Sequence, residues 1–539
     1  MFDRIRASAT PRKMLALVTA FTTALGPSVA PAFAASRAPG KKMPIQHIVV
    51  IFNENISFDH YFGTYPVALN PKGEPPFHAK SDTPTVNGLT NALLNFNPNL
   101  NTANGTGATN PFRLDRSQAV TADQDHDYTA EQLGFDMGAM DLFPKSMGTA
   151  GPPPSGGGIV DTAGLTMGYF DGNTVTALWN YAQNFAMNDN SFSSTFGPST
   201  PGVINLVSGQ TNGAVKTLNG TGGEVDGGNG SLTVIGDPDP LNDVCSNPTG
   251  GQVQMGGKNI GDLLTAAGVT WGSFMGGFNL NIKNPNGTTG CNRSSAGLAG
   301  TTNDYVPHHS FFGYWASTAN PSHTRPKSIS EIGNNGPANH QYDTDDFFAA
   351  VKAGNFPAVN FIKSPAYQDG HAGYSDPIDE QHFVVRIINF LQEQKEWDST
   401  AVVVLYDDSD GWYDHQMSPI VNQSTGPADA LTGPDACGTA TNSLPGIDAG
   451  NPHALGRCGY GPRQPFLVIS PWAKQNFVDH TTADQTSVIR FIEDNWLGGQ
   501  RIGQGSFDGI ASSITQMFDF HQKRSDGRLF LDPNTGEPR

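Results

Sequence analysis

Five short apolar runs bounded by turn residues stand out along the chain: 45–52, 269–276 (VTWGSFMG), 357–363 (PAVNFIK), 400–406 (TAVVVLY) and 465–470 (PFLVIS). Each is short for a helix and bounded by turn formers, so each is predicted to be a buried strand. Segments with helical spacing of apolar residues alternate with them: 174–186, 259–268, 343–354, 379–395 and 481–496. Asp343 and Asp379 sit where N-caps are expected, and Gly268 and Gly354 follow their helices as C′ glycines. A further short helix is predicted from near Pro201 in TPGVINLVSG, with Ser199 at or just before its N-terminus. Strands alternating with helices predict an α/β fold whose mainly parallel central sheet is covered on both faces. Stretches rich in Gly, Asn, Thr and Pro near 97–112, 147–158, 211–257 and 421–461 read as long loop insertions in a single domain, 35–539.

Two of the runs end in acids. HIVVIF is followed by Asn53, Glu54 and Asn55, and AVVVLY by Asp407, Asp408 and Asp410. Ligands of parallel sheets bind beyond the carboxyl ends of the strands. Both tips are therefore expected to meet in one crevice. Glu54, Asp407 and Asp408 together are untenable without a cation. Hard oxygen donors of this kind suit one divalent metal ion, with Mg²⁺, Ca²⁺ or Mn²⁺ favoured and Zn²⁺ or Fe open if a histidine joins. Taken singly, each motif also suits a solvated loop or a helix cap. Ser199 in GPSTPG suits a nucleophile whose phosphorylated form meets a helix N-terminus, and it suits an N-cap equally well. His308 and His309 in VPHHSFF, His371 in QDGHAGY, His126 in DQDHDY and His415 in WYDHQ are the histidine candidates. Imidazoles there could hold a phosphoryl oxygen or protonate a leaving group, although a single histidine is more often structural.

Residues 1–34 stand apart. Arg4, Arg6, Arg12 and Lys13 precede the apolar MLALVTAFTTALG, and Ala32-Phe33-Ala34 completes the pattern of a secretory signal peptide. The run is short for a membrane span and is broken by Gly26 and Pro27, so no stable membrane insertion is expected. Export places the chain in the periplasm or outside the cell. The net charge is −18, and loss of four basic residues with the signal makes the remainder more acidic still. Such a surface disfavours nucleic acid. An anionic substrate would need a local positive site. The four cysteines suggest two disulfides in an exported chain, with Cys245–Cys291 and Cys437–Cys458 favoured because each pair brackets a Gly/Asn-rich segment. Four free thiols are the alternative. Oligomeric state leaves no mark in the sequence.

Taken in order, HIVVIFNENISFDHYFGTYP, the segment from YFDGNTVTALWNY to GPSTPGVINLVSGQ, HHSFFGYW, FIKSPAYQDGHAGYSDPIDEQ, AVVVLYDDSDGWYDH and GYGPRQPFLVISPWAKQNFVDH resemble the bacterial phosphoesterase family that holds phospholipases C and acid phosphatases. The resemblance implies an alkaline-phosphatase-like three-layer α/β/α sandwich. It implies metal ligation by Glu54, Asn55, Asp407 and Asp408, with Ser199 completing the shell as nucleophile. Phosphate-binding and proton-transfer roles fall on His308, His309, His371 and His126, and an acidic role on Asp141 in GAMDLF. Ser199, where phospholipases C of the family usually carry Thr, and the pair Asp407-Asp408, where they carry Asp-Glu, resemble the acid phosphatase branch. The expected activity is hydrolysis of small phosphate monoesters through a phosphoserine, with phospholipase C as the alternative.

Overall fold

The strand His47–Asn53 pairs in parallel with Val359–Lys363 on one side and Thr400–Tyr406 on the other, Asn53 lying opposite Tyr406. Every residue from Ile48 to Asn53 is buried. A strand closed on both faces has no reason to alternate, which is why its sequence is a continuous apolar run. The computed structural model describes residues 43–148, 160–220, 223–228, 230–432, 436–438 and 455–539. The predicted signal peptide and parts of the predicted insertions near 147–158 and 421–461 lie outside them.

Among the described residues the central sheet has eight strands: β1 (His47–Asn53), β2 (Ala186–Asn188), β3 (Trp271–Met275), β4 (Gln341–Asp343), β5 (Val359–Lys363), β6 (Thr400–Tyr406), β7 (Phe466–Ile469) and β8 (Phe477–Asp479). Their spatial order is β4-β3-β5-β1-β6-β7-β2-β8. Only β7 runs against the others. All five predicted strands are present. The three unpredicted ones, β2, β4 and β8, have three residues each, too few to show a pattern. The predicted helix 174–186 runs only from Thr176 to Asn184, because Phe185 turns extended and leads into β2.

The helices form two sets. Thr176–Asn184 packs with Pro377–Glu393, while Ser199–Ser208 packs with Ile260–Ala266 and Thr486–Trp496. With the sheet buried on both faces, this is the expected α/β arrangement of helices around a mostly parallel sheet. Asp343 caps the Thr344–Lys352 helix in a capping box with Asp346, and Gly268 and Gly354 take φ of 67° and 76° after their helices. Asp379 is not the N-cap of its helix. Asp376 is, accepting from the amides of Ile378 and Asp379 at 2.8 and 3.1 Å. Pro377 explains the shift: its missing N–H and preset φ suit the first helical position. Asp379 instead accepts from the Leu298 amide.

The stretch 211–257 carries a second sheet of five strands, Asn212–Leu218, Glu224–Asp226, Leu232–Val234, Asp239–Pro240 and Gln252–Met255. It reaches the functional crevice through Asp239, whose Oδ1 lies 3.8 Å from His308 Nδ1, and through the neighbouring Asp237, which accepts from the Thr200 amide at 2.8 Å. Cys245–Cys291 and Cys437–Cys458 are both disulfides, and no cysteine is free. No helix among the described residues is long and apolar enough to cross a membrane.

Candidate active site

At the carboxyl end of the sheet the chain leaves β1 at Glu54 and β6 at Asp407. Because β1 and β6 are parallel neighbours in register, the acids arrive side by side, as the strand pattern predicts. Asn55 follows with φ of 60°, a left-handed turn that asparagine tolerates better than most residues. Its amide donates to Asp407 Oδ1 at 2.9 Å, which locks one tip to the other.

Ser199 is the first residue of the Ser199–Ser208 helix, with Pro198 as N-cap. Its hydroxyl lies 3.0 Å from Glu54 Oε2 and 3.3 Å from Asp408 Oδ2. It therefore caps nothing and points into the acid cluster. Gly202, one turn on, makes this approach possible. A Cβ there would meet the Asp407 carbonyl oxygen at 2.5 Å. Two positions at this helix start have no amide to offer a phosphoryl group. The Thr200 amide already serves Asp237, and Pro201 has no N–H to offer. Side chains or a metal would then supply most of the positive field.

Two side chains outside the sequence-based candidates, one cation and one further acid, join the cluster. Lys363, the last residue of β5, is buried with its Nζ against Glu54 Oε1 and 3.7 Å from Asp407 Oδ2. Burial pulls its pKa down, opposed by the charges of Asp407, Asp369 and Asp408. Asp369 accepts from the His371 amide at 3.0 Å and from the Tyr374 hydroxyl at 3.2 Å. Glu54, Asp369, Asp407, Asp408 and Asp410 are thus five buried carboxylates beside one buried ammonium. Burial, then the neighbouring Asp407 charge, pushes Asp408 well above the usual carboxylate range. Asn55 Oδ1 and Asp407 Oδ2 are buried without a hydrogen-bond partner. Orphaned oxygens amid excess negative charge fit a divalent cation held by Glu54, Asn55, Ser199, Asp407 and Asp408. His309 stands close enough to join, its Nδ1 3.4 Å from Glu54 Oε1.

The histidines split into two pairs. His308 and His309 have ring centroids 4.6 Å apart. Burial works against a charge on His308, but Asp239 and Asp237 hold its pKa above the ordinary value. Burial, then the His308 charge, drives His309 well below it. His126 and His371 stand edge to face at 5.8 Å. Burial opposes a charge on His126, yet Asp408, Asp410 and Asp123 raise its pKa well above the ordinary value, while burial lowers that of His371. Each pair thus sets an imidazole that holds its proton more tightly beside one that holds it less tightly, the kind of separation that acid–base chemistry uses. Asp123, His126, His371 and Asp410 also present ligand atoms within 4.8 Å of one another.

Asp141 is not brought to this cluster. Its carbonyl oxygen accepts from the Asn101 and Asn104 side chains in a neighbouring loop. His415 lies elsewhere too, with its Nδ1 2.6 Å from Asp59 in a buried ion network with Arg463 and Asp414. Glu131, by contrast, reaches both sides of the crevice. It accepts from the Gly197 amide at 2.9 Å and from Ser409 Oγ at 2.8 Å. It sits in a helix whose sequence gives no sign of this.

The model of the phosphoesterase family matches residues 45–497, which take in both strand tips, Ser199 and all four histidines of the cluster. The chain belongs to the phosphoesterase family. This phosphoesterase is 24% identical over 531 residues to phospholipase C B of Mycobacterium tuberculosis, covering 96% of this chain and 85% of that one. It is 26% identical over 487 residues to the non-hemolytic phospholipase C of Pseudomonas aeruginosa, covering 89% of this chain and 58% of that one. Among solved structures it overlaps an alkaline phosphatase superfamily protein of Vibrio parahaemolyticus at 12% identity and a TM-score of 0.25, over 75% of this chain and 74% of that one. An overlap at that level bears on neither activity nor substrate. Membership of the family supports hydrolysis of phosphate esters.

Proposed function

We propose that this phosphoesterase is an exported, metal-dependent phosphatase that hydrolyses small phosphate monoesters through a phosphoserine on Ser199. The observation that carries the reading is the Ser199 hydroxyl at a helix start, aimed between Glu54 and Asp408 and away from any capping bond. A divalent ion bound by Glu54, Asn55, Ser199, Asp407 and Asp408 would lower the hydroxyl pKa and neutralise charge on the phosphoryl oxygens. Ser199 gives its proton to a carboxylate that it faces, Glu54 or Asp408, and its Oγ attacks phosphorus in line as the ester P–O bond breaks. His308 or His126, the member of its pair that holds a proton more tightly, gives a proton to the leaving alcohol. The imidazoles and Lys363 hold the equatorial oxygens where charge builds up. Water then attacks phosphorus, the Ser199 bond breaks, and inorganic phosphate leaves. Asp141, away from the cluster, has no place in this scheme.

Ser199 and the Asp407-Asp408 pair support the monoesterase branch. The named relatives, both phospholipases C, favour a second reading, cleavage of a phosphatidylcholine-type diester on the side that frees the phosphorylated head group. Hydrolysis of p-nitrophenyl phosphate against p-nitrophenyl phosphorylcholine from pH 4 to 9 separates them. Preference for the monoester on the acid side is expected, and preference for the diester overturns the phosphatase reading. Ser199→Ala is expected to lose turnover and covalent labelling while keeping its fold. Retained turnover refutes the nucleophile.

A further inference from the structure

Glu380, in the first turn of the Pro377–Glu393 helix, is a buried acid that the reaction does not use. Its Oε1 accepts from Asn53 Nδ2 at 2.7 Å and from the Tyr406 hydroxyl at 2.6 Å, and its Oε2 accepts from the Tyr61 hydroxyl at 2.9 Å. Among the described residues no salt bridge neutralises it. Burial lifts its pKa to about 7, and the three hydrogen bonds oppose the rise. Placing a carboxyl there is costly unless its bonds matter.

The positions of the donors are informative. Asn53 and Tyr406 are the last residues of β1 and β6 and lie opposite each other in register. The next residues are Glu54 and Asp407. Side chains alternate across a sheet, so the pair gripped by Glu380 projects from the face opposite the acids that follow. One carboxylate oxygen thereby ties together the two strand ends from which the oxygen donors emerge. The Gly370 turn rests on the same acid, since a Cβ at Gly370 would lie 3.1 Å from Glu380 Oε2. The residue before it, Asp369, receives the Glu54 amide at 2.9 Å.

We propose that Glu380 is a positioning residue that sets the separation of Glu54 and Asp407 from beneath the sheet, and so tunes the affinity of the site for its divalent ion. This rests on the metal assignment above. Tyr406 and Tyr61 discriminate positioning from simple core stability. Each hydroxyl makes one bond to the same buried acid, so each loss costs the fold a similar amount. Only Tyr406 adjoins a metal ligand.

The test measures Mn²⁺ binding by calorimetry on chelator-treated mature protein, with thermal unfolding and p-nitrophenyl phosphate kinetics alongside. Tyr406→Phe is expected to weaken Mn²⁺ binding by about 10-fold or more, the range seen when groups behind metal ligands are removed. Its kcat falls while KM stays. Tyr61→Phe is expected to lower the unfolding midpoint comparably and leave Mn²⁺ binding within about twofold. Glu380→Gln keeps an acceptor toward Asn53 and Tyr406 and should rescue most of the affinity that Glu380→Leu loses. Equal Mn²⁺ affinities for Tyr406→Phe and Tyr61→Phe, in a wild-type protein that binds Mn²⁺, overturn the positioning role alone. A wild-type protein that binds no Mn²⁺ and cleaves neither ester overturns the proposed function and this inference with it.

Discussion

Gly202→Ala pits two effects of opposite sign. In an open helix, alanine for glycine gains about 1 kcal/mol in propensity. Here the added Cβ would stand 2.5 Å from the Asp407 carbonyl oxygen and 2.8 Å from Asp407 Cβ. Ordinary carbon contacts begin near 3.5 Å, so the helix start and the β6 tip must part by about 1 Å. The obstacle is backbone and a buried ligand residue, which cannot swing aside as a long side chain would. Overpacking of this kind costs about 1–3 kcal/mol, enough to cancel the propensity gain. The larger effect falls on geometry. Ser199 sits three residues before Gly202 and touches Asp408, so a shift of about 1 Å between the two elements moves the nucleophile off its line by a similar amount. Displacements of that size cost on the order of 100-fold in rate. The expected outcome is a kcat for p-nitrophenyl phosphate down about 100-fold, weaker Mn²⁺ binding, and an unfolding midpoint that barely moves. A Gly202→Ala protein with wild-type kcat and wild-type metal affinity refutes the claim that this close approach sets the site.

Chelation of the purified protein should abolish ester hydrolysis, and Mg²⁺, Ca²⁺ or Mn²⁺ should restore it; full activity after exhaustive chelation argues against a metal. Arg463→Leu removes the cation that bonds Asp414 and Asp59 and lies over the Phe58 ring, leaving two buried carboxylates with only His415 nearby. A loss of about 3–5 kcal/mol in denaturant unfolding is expected, and a loss below about 1 kcal/mol contradicts it. Burial, then its hydrogen bond with Asp508, raises the Glu493 pKa to about 9. The native state thus holds this proton more tightly than the unfolded chain. Its contribution is complete below about pH 4.5 and is lost as pH rises through about 9. Thermal unfolding midpoints should fall between pH 6.5 and 9, and Glu493→Gln, which mimics the neutral acid, should flatten that decline; an unchanged slope in the variant removes Glu493 as its source.

What was legible in the chain, and what was not, divides by how each residue reaches the site. Val49, Val50, Val403 and Val404 could be read as buried strands because both faces of the sheet are covered and the apolar run is unbroken. Acids directly after such runs, Glu54 and Asp407, are conspicuous because a polar tip on a buried strand has few other uses. Lys363 obeys the same rule. It ends the predicted strand 357–363, and a charge at the tip of a buried strand is the same kind of signal. Asp369, two residues before His371, sits in a loop with no such frame. Glu131 and Glu380 are different in kind. They lie on helices among other polar residues, and only tertiary packing brings them beneath Gly197, Ser409, Asn53 and Tyr406. Asp141 shows the converse, since resemblance alone placed it and the chain folds it away from Ser199. Local pattern therefore reveals the residues that strands deliver to an edge. The acids that hold those strands together are set by tertiary contacts that span 26 positions from Glu380 to Tyr406 and 327 from Glu380 to Asn53, and no window of local pattern contains both.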